Sequence, residues 1–343
     1  MGVCTIVSFR LGGPDGVSIV ASSWQRALES IGFEVTTVAG AGAADRVVAG
    51  LELTPDHPPD PAEVDEALAG ADLVVVENLC TIPLNLPAAR AVADALRGRP
   101  AILHHHDPAW QRDEHAHVHE LPPDDPAWRH VTINDLTRRQ LAERGIEATT
   151  IYNGFDVDPP AGDRAATREA LGVADDILLC AHPVRAIARK DIPAAIALTA
   201  AVGGTYWLLG PAELGYGEVL DELLAAATAP VLHRPPPGSM ADAYAAADAV
   251  VFPSTWEGFG NPPIEAALHR KPAAVGRYPV AQELLRFGFR WFPTDDPEPL
   301  RVFLDHPDQS LLEHNADVAR RHFSQARVED DLRSLVERAG WSP

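Results

Sequence analysis

Cysteine, lysine and long apolar runs are all scarce in this sequence. The three cysteines, Cys4, Cys80 and Cys180, are widely spaced and form no CxxC pair. This spacing argues against a disulfide framework and predicts a reducing, cytoplasmic setting. No apolar run approaches the roughly 18 residues of a transmembrane helix. The short apolar stretch at the N-terminus is followed at once by glycines, which is not typical of a signal peptide.

Positive charge is also in short supply. The 343 residues include 28 Lys and Arg against 49 Asp and Glu, which gives a formal net charge of -21. Binding that neutralises many nucleic-acid phosphates is therefore not expected. The hydrophobic share of 46% is that of an ordinary globular protein. The length predicts two domains, each large enough to bury its own core.

Short β-branched runs alternate with helical patterns along the whole chain. Strands are predicted at 3–9, 34–40, 71–78, 101–105, 130–134, 148–153, 176–182, 205–210, 229–233, 248–253 and 272–276. Helices are predicted between them, notably at 18–32, 86–97 and 135–144. This alternation indicates parallel sheets covered by helices on both faces. A Pro- and Gly-containing stretch at 153–163 breaks the pattern, so the α/β fold is predicted as two doubly wound domains, 1–155 and 160–325.

Two segments carry candidate site residues on local grounds. The loop LGGPDGVS (11–18) follows the first strand, and its glycines allow tight turns and close backbone approach, although an ordinary strand-to-helix turn explains it equally well. The segment PSTWEGFGNPPIEAAL (253–268) places Glu257 before a glycine-rich turn and Glu265 one turn into a helix that begins with Pro262 and Pro263. Such a junction offers backbone N–H groups for an anion and carboxylates for sugar hydroxyls. The alternative for the second segment is two solvated glutamates.

The segment EGFGNPPIE resembles the E-x7-E signature of the family 4 retaining glycosyltransferases, which have the GT-B fold. Other motifs of that family follow in the expected order. They are the glycine loop LGGPDG, HHHD (104–107), NGFD (153–156), the Arg185 and Lys190 pair, and ADAYAAADAVVFPSTWEGFGNP. The resemblance covers essentially the whole chain. Two departures, His182-Pro183 and Asp191, affect the backbone around the two cations.

The resemblance implies a role for each matching residue. Arg185 and Lys190 would stabilise the leaving phosphate, Glu257 would contact the transferred sugar, and His106 would line the sugar site as a fourth catalytic residue. Donor binding is implied for Gly12, Gly13, Gly258, Phe259, Gly260, Asn261, Glu265, His233 and Arg234. Asp107, Trp110 and Asn153 are implied on the acceptor side. The two domains would face each other across a cleft, and a last helix at about 326–343 would cross back to the first domain.

Two local metal motifs compete with this interpretation. His115, His117 and His119 alternate, so on a strand they would share one face as zinc ligands do, whereas a solvated histidine loop is the simpler interpretation. Asp156 and Asp158 imitate a DxD metal motif but lie in NGFD at the domain boundary. We therefore expect no metal and no other cofactor. No carboxylate nucleophile is evident near His106, so front-face displacement with leaving-group assistance is expected.

The predicted function is transfer of a hexose from a nucleotide diphosphate sugar, UDP- or GDP-linked, to a hydroxyl acceptor. Anomeric configuration would be retained. The acceptor would be a small molecule or a glycan, and the oligomeric state is left open. The alternatives are a GT-B-like sugar-nucleotide epimerase, which needs no acceptor, and a non-catalytic sugar-nucleotide-binding protein.

Overall fold

The protein is described by a computed structural model that covers residues 1–13 and 15–343. The described chain divides into two compact units. Unit 1 comprises Met1–Phe155 and Phe323–Pro343, and unit 2 comprises Asp156–His322. None of the helices in the described ranges combines the length and apolar character needed to cross a membrane.

Unit 1 is built from alternating strands and helices. Its elements in chain order are β1 (Val3–Leu11), α1 (Gly16–Ile31), β2 (Glu34–Gly42), β3 (Arg46–Val47), α2 (Pro61–Leu68), β4 (Leu73–Glu77), α3 (Leu86–Leu96), β5 (Ala101–His105), β6 (Trp128–Thr132), α4 (Asp135–Ala142) and β7 (Ala148–Thr150). Local signals set their ends. The Asp15 side chain caps α1 by accepting from the Ser18 amide, and Gly32 ends the helix in the left-handed region at φ 112°.

Unit 2 repeats the alternation with shorter strands. Its elements are α5 (Arg164–Leu171), β8 (Leu179–His182), α6 (Ile192–Ala201), β9 (Thr205–Leu208), α7 (Gly217–Ala225), β10 (Val231–His233), α8 (Met240–Ala246), β11 (Ala249–Phe252), α9 (Asn261–Leu268), β12 (Ala273–Val275), α10 (Pro279–Leu285), α11 (Glu298–Asp305) and α12 (Gln309–His322). The α/β alternation predicted from the sequence is confirmed in both units.

Both sheets are parallel and doubly wound. Within the described residues, unit 1 has a seven-stranded sheet of order β3-β2-β1-β4-β5-β6-β7, and unit 2 has a five-stranded sheet of order β10-β9-β8-β11-β12. The winding direction reverses between β1 and β4 in unit 1 and between β8 and β11 in unit 2. In open parallel sheets, ligands bind outside the carboxyl ends of the strands at such reversals. In each unit the predicted ligand site therefore lies at the carboxyl ends of the two strands between which the winding reverses.

The last helix, α13 (Gln325–Ala339), belongs to unit 1. Its apolar stripe is buried with Trp24 and Leu28 of α1, as the helical spacing of these residues predicts: Val328, Leu332, Leu335 and Val336. The Gln325 side chain also donates to the Ser23 carbonyl of α1 at 2.7 Å. The predicted return of the C-terminal helix to the first domain is confirmed.

Strand β3 was not predicted from the sequence, and neither were helices α10, α11 and α12, which follow the last predicted strand. Strand β3 has only two residues, which is too short for a periodic signal. Helix α2 lies between two predicted strands, where a helix was expected but its bounds were not given. Its signals are nevertheless ordinary, because Asp60 caps the helix and Pro61 occupies its first turn.

Candidate functional site

Two loops of unit 2 leave its sheet at the point where the winding reverses. The loop after β8 carries Arg185, Arg189 and Lys190, and the loop after β11 carries Glu257. Because β8 and β11 are hydrogen-bonded neighbours, their carboxyl ends lie side by side. Residues 67 positions apart in the chain therefore meet in one group.

Three charged side chains form this group, which we call the cation cluster: Arg189, Lys190 and Glu257. The Lys190 ammonium donates to Glu257 Oε1. The Arg189 guanidinium donates to Glu257 Oε2 at 2.5 Å and to the Trp256 carbonyl at 2.8 Å. Lys190 and Glu257 are both buried. One carboxylate thus holds two cations, whose combined charge exceeds its own.

Burial and neighbouring charge shape the titration of this cluster. Burial, together with the nearby charges of Arg189 and Arg185, lowers the pKa of Lys190 to about 8, although Glu257 opposes the shift. Burial alone would raise the pKa of Glu257, but Lys190 and Arg189 hold it below its ordinary value. Glu257 is therefore an anion at neutral pH, and the cluster carries a net positive charge.

The loop after Glu257 turns sharply into α9. Gly260 precedes the helix with φ 98°, and a Cβ atom there would lie 2.1 Å from the Tyr278 hydroxyl. That hydroxyl donates to the Phe259 carbonyl at 3.2 Å, and Phe259 itself is buried. Only glycine fits both the left-handed conformation and the close approach of Tyr278. Asn261 begins the helix, with prolines in its first turn as predicted.

Glu265 lies in the second turn of α9. Its Oε2 accepts a 2.5 Å hydrogen bond from the Tyr244 hydroxyl of α8. Burial raises the pKa of Glu265, while this hydrogen bond acts in the opposite direction. The Tyr244 ring stacks on His269 at 4.7 Å between ring centroids, which holds the tyrosine in place. The Glu265 carboxylate is thus a half-buried, fixed acceptor for hydroxyl groups.

A second polar group occupies the carboxyl ends of β4 and β5 in unit 1. Glu77 ends β4, lies opposite His104 in the sheet register and is completely buried. Its carboxylate lies 3.0 Å from His104 Nδ1 and 2.9 Å from His106 Nε2. Asn78 adds two contacts, because its side-chain oxygen accepts from the amides of His106 and Asp107 at 3.1 and 3.2 Å. The Glu77-Asn78 pair therefore positions the His-Asp pair.

His105 points to the opposite face of β5. Its ring contacts Thr81 Oγ1 at 2.7 Å and His130 Nδ1 at 2.9 Å. His104 lies against the Trp24 ring, with 3.9 Å between ring centroids. The alternation of a strand thus divides the HHH run into two separate environments.

The glycine loop lies at the carboxyl end of β1. Gly12 has φ 76°, and a Cβ atom there would approach that of Ala43 to 2.6 Å. Gly12 and Leu11 line a cavity of about 380 Å³ together with Ser22, Gln25, Ala43 and Asp45. Gly13 follows Gly12 in the loop, and Pro14 lies outside the described residues. Of the two predicted glycines, Gly12 therefore lines a cavity that has both polar and apolar side chains in its wall.

Known proteins place these features in context. No protein-family model matches the chain. The mannosylglucosylglycerate synthase of Thermotoga maritima is 25% identical and aligns with 95% of this chain and 98% of its own. The enzyme of the same name from Petrotoga mobilis is 24% identical over 83% of this chain and 84% of its own. The crystal structure of Anabaena HepE in complex with UDP and glucose has a TM-score of 0.80 at 17% identity, and covers 98% of this chain and 100% of that one.

The chain has the GT-B fold, and its full-length relative from Thermotoga maritima is a glycosyltransferase. The relatives align over nearly its whole length, and the HepE structure shares its full fold. The resemblance and the fold predicted from the sequence are therefore confirmed. The roles of individual residues, anomeric retention and metal independence stay predictions.

Three predicted site residues lie apart from the cation cluster. The Arg185 guanidinium donates to Glu213 Oε2 at 2.6 Å rather than to Glu257. His233 ends β10, the edge strand of the sheet, Arg234 follows it, and both are exposed. His233 Nε2 lies 3.1 Å from the Gly210 carbonyl, and the Arg234 side chain donates to the Ala170 carbonyl at 3.0 Å.

The predicted acceptor-side residues lie in unit 1. Asp107 accepts a hydrogen bond from Arg112. Trp110 donates to Gln140 Oε1 at 2.9 Å, and the Arg144 guanidinium covers one face of its ring at 4.2 Å from the centroid. Only the other face of Trp110 is therefore available for stacking on a sugar. Asn153 is buried three residues after the end of β7.

The two competing metal motifs lie in turns and loops rather than on strands. His115 ends a short 3-10 turn, Asp113–His115, and His117 and His119 follow in non-strand conformation. The shared strand face considered for these three histidines is therefore not formed, and two of them are exposed. Asp156 accepts from the Asp158 amide at 3.0 Å in an exposed turn. A different trio, Glu77, His104 and His106, has ligand atoms close enough together for a metal ion.

Three residues of these polar groups were missed from sequence: Glu77, Asn78 and Arg189. The sequence showed no carboxylate nucleophile near His106, and it did not reveal that the Glu77 carboxylate contacts the ring of His106. One signal was available, since Glu77 and Asn78 end an apolar strand whose successor along the chain ends in HHHD. Consecutive parallel strands that pair bring their carboxyl ends together. Arg189 lies next to Lys190 and carried no separate signal.

His182, one of the two departures from the family pattern, predicts a pH dependence of stability. Its Nδ1 lies 2.8 Å from the Tyr206 hydroxyl in the buried end of β8. Burial and the nearby Lys190 charge lower its pKa to about 3. A histidine in the unfolded chain has a pKa of about 6.5, so the unfolded state binds the proton first. The stabilising contribution of neutral His182 is thus present above pH 6.5 and is lost as the pH falls toward 3.

We expect His182→Phe to reduce this acid sensitivity. Between pH 6.5 and 5.0 one such histidine costs about 2 kcal/mol of unfolding free energy, at about 1.4 kcal/mol per pH unit. Urea unfolding at the two pH values measures the difference between wild type and variant. His57→Phe, at an exposed histidine, is the control and should keep the wild-type pH dependence. Equal acid sensitivity of His182→Phe and wild type would contradict a neutral buried His182.

Proposed function

We propose that this glycosyltransferase transfers a hexose from a nucleotide diphosphate sugar to a hydroxyl acceptor, with retention and without a metal ion. UDP- and GDP-sugars are the expected donors. The acceptor is a small molecule or a glycan. In this proposal unit 2 binds the nucleotide and unit 1 supplies His106 and the acceptor side.

The cation cluster is the observation that carries the proposal. A nucleoside diphosphate leaving group gains negative charge as the glycosidic bond breaks. Lys190 and Arg189 are held by one buried carboxylate, so their charges need little reorganisation when the leaving group departs. The turn at Gly258 and Phe259 leads to the N-terminus of α9, whose dipole favours an anion, although Pro262 and Pro263 in its first turn carry no N–H group. Glu265 is the proposed partner of ribose hydroxyls.

The comparisons support the donor class. HepE was crystallised with UDP and glucose, and it covers the same fold from end to end. The two synthases are named for a product that contains mannosyl and glucosyl groups. Both observations favour a hexose donor activated by a nucleotide.

The environment of Glu77 bears on the proposed mechanism. A double displacement needs a carboxylate that reaches the anomeric carbon. The Glu77 carboxylate is completely buried and contacts two imidazole rings, so it is not placed as a nucleophile. This favours front-face displacement, in which leaving-group stabilisation supplies most of the acceleration.

We expect transfer to survive chelation, because the cation cluster takes the place of a divalent ion. Activity with UDP- and GDP-sugars should be unchanged in excess EDTA and unstimulated by Mg²⁺ or Mn²⁺. The assay follows nucleotide release and analyses the product by NMR for its anomeric configuration. Loss of activity in EDTA that Mg²⁺ or Mn²⁺ restores would refute metal independence.

The same assay separates the two alternative functions. An epimerase converts the donor without an acceptor, and a binding protein gives a thermal shift without turnover. A donor at 100 times its dissociation constant should stabilise the fold by about 2.7 kcal/mol, so a thermal-shift screen identifies the donor first. Nucleotide release that requires a hydroxyl acceptor supports transfer.

A further inference from the structure

Glu77 and its two histidines form a closed polar group in the core of unit 1. The Glu77 and His104 side chains are fully buried, and the His106 side chain is 5% exposed. The ring of His104 is fixed by Trp24, and the backbone of His106 is fixed by Asn78. Each imidazole therefore presents one defined nitrogen to the carboxylate.

The chemistry of the carboxylate decides which nitrogen carries a proton. The charge interaction with His104 and the hydrogen bonds from both histidines keep the pKa of Glu77 below its ordinary value despite burial. An ionised carboxylate only accepts hydrogen bonds, so the nitrogen facing it must be the donor. His104 is thus protonated on Nδ1 and His106 on Nε2. A neutral His106 then carries its lone pair on Nδ1.

A metal ion would impose the opposite arrangement. Zinc bound to His106 would take the lone pair of Nε2 and leave the proton on Nδ1. Nitrogen and oxygen ligands at about 2.0 Å from a tetrahedral zinc ion are about 3.3 Å apart. The observed separations of 2.9 and 3.0 Å are those of ordinary hydrogen bonds. Hydrogen bonding therefore describes this group better than metal ligation.

We propose that Glu77 is a positioning residue that fixes His106 in the Nε2–H form, so that Nδ1 is its acceptor toward a sugar hydroxyl. The kinetic part rests on the proposed function, in which His106 lines the sugar site. The tautomer part concerns unit 1 alone. His104, held by the same carboxylate and by Trp24, prevents Glu77 from rotating away. This arrangement resembles the second-layer carboxylates that orient catalytic or ligating histidines in other proteins.

The tautomer is tested directly on the wild-type protein. Long-range ¹H–¹⁵N spectra of the full chain labelled with ¹⁵N-histidine distinguish a protonated from an unprotonated ring nitrogen. Comparison with His106→Gln and His104→Gln identifies the two rings among the 14 histidines. We expect Nε2–H for His106 and Nδ1–H for His104 at neutral pH. Nδ1–H on His106 would overturn the proposal, whether it arises from the other tautomer or from a stoichiometric metal found by elemental analysis.

Variants of Glu77 test the consequence for catalysis. Glu77→Gln keeps the shape but replaces one acceptor oxygen with an NH2 donor, so the N–H of His104, which lies 3.0 Å from both oxygens, or that of His106, which contacts Oε2, faces a donor. If the His106 ring changes its tautomer in Glu77→Gln, kcat should fall 10- to 100-fold while the donor KM stays near wild type. Glu77→Asp keeps an acceptor-only group, so it should keep the Nε2–H form and lose less kcat than Glu77→Gln.

Thr81→Val is the matched control. It removes a buried hydrogen bond to His105, on the opposite face of β5, and leaves Glu77 in place. Its His106 spectrum and kcat should equal those of wild type. Equal kcat losses in Glu77→Gln and Thr81→Val, or a spectral change of His106 without any loss of kcat, would refute a positioning role. The wild-type spectrum still decides the tautomer if transfer itself is not found.

Discussion

Lys190→Ala should lower kcat by about 10²- to 10³-fold, the usual loss for one donor in a preorganised site. The Lys190 ammonium is buried against Glu257 and is proposed to face the leaving phosphate, where charge grows in the transition state. Interactions that strengthen in the transition state appear in kcat, whereas those made equally in the ground state appear in KM. Steady-state kinetics with circular dichroism as a folding check measures the effect.

Two further variants make the Lys190 result specific. Glu265→Gln, on the proposed ribose side, should chiefly raise the donor KM. Lys271→Ala is the matched control. Burial lowers the pKa of Lys271 to about 8 as well, but its ammonium donates to the Ala245 and Ala247 carbonyls. Lys271→Ala should lower the free energy of unfolding without lowering kcat. Near-normal kcat in Lys190→Ala, with kcat abolished in Glu265→Gln at saturating donor, would show that these roles are assigned wrongly.

Arg168→Ala should reduce the unfolding free energy by about 3–5 kcal/mol, because it breaks a buried ion pair and removes the donor of several backbone carbonyls. The Arg168 side chain is 1% exposed and donates to Asp248 Oδ2 at 2.6 Å. It also donates to the carbonyls of Ala246, Ala174 and Ile177. Asp248 in turn accepts from the Leu179 amide at 2.8 Å, so the pair ties α5 to the starts of β8 and β11. Urea unfolding measures the loss.

Comparison variants separate burial from charge at this position. Arg168→Lys should recover little of the loss, because an ammonium cannot reproduce the planar fork of donors. Arg164→Ala removes the more exposed arginine that pairs with the same Asp248, and it should lower the free energy of unfolding by less than Arg168→Ala does. Arg301→Ala, which breaks only exposed pairs with Glu298 and Asp305, should unfold like wild type. A loss in Arg168→Ala no greater than that in Arg301→Ala would contradict the structural role of the buried pair.

Most of the fold was predictable because its signals are local. Strand β5 was predicted with the same ends that the structure has, Ala101–His105. The last helix was predicted at about 326–343, and α13 begins one residue earlier and ends at Ala339. The departures also have local reasons. Asp191, where glycine is common in the family, has φ 50°, in the left-handed region that favours glycine and tolerates aspartate.

The candidate site was predictable only in part. Lys190, Glu257 and Glu265 lie in sequence motifs that indicate them individually. Their contacts were not predictable, since Glu257 pairs with Lys190 and Arg189, whereas Arg185 pairs with Glu213. A motif indicates which residue types occur at a given spacing, but it does not specify the rotamers and charge partners they adopt.

The sequence by itself determined the class of the protein: two parallel α/β units, a glycine turn before α9, and the residues of a glycosyltransferase motif. These follow from periodicity and backbone preference over stretches of a few residues. The tertiary structure alone decided that Glu77 meets His104 and His106, and that Arg168 meets Asp248 across 80 positions of the chain. Both depend on strand order and register, which bring distant residues together in low-dielectric surroundings. In such surroundings a charge is stable only with its partners in place, and no local pattern encodes where those partners lie.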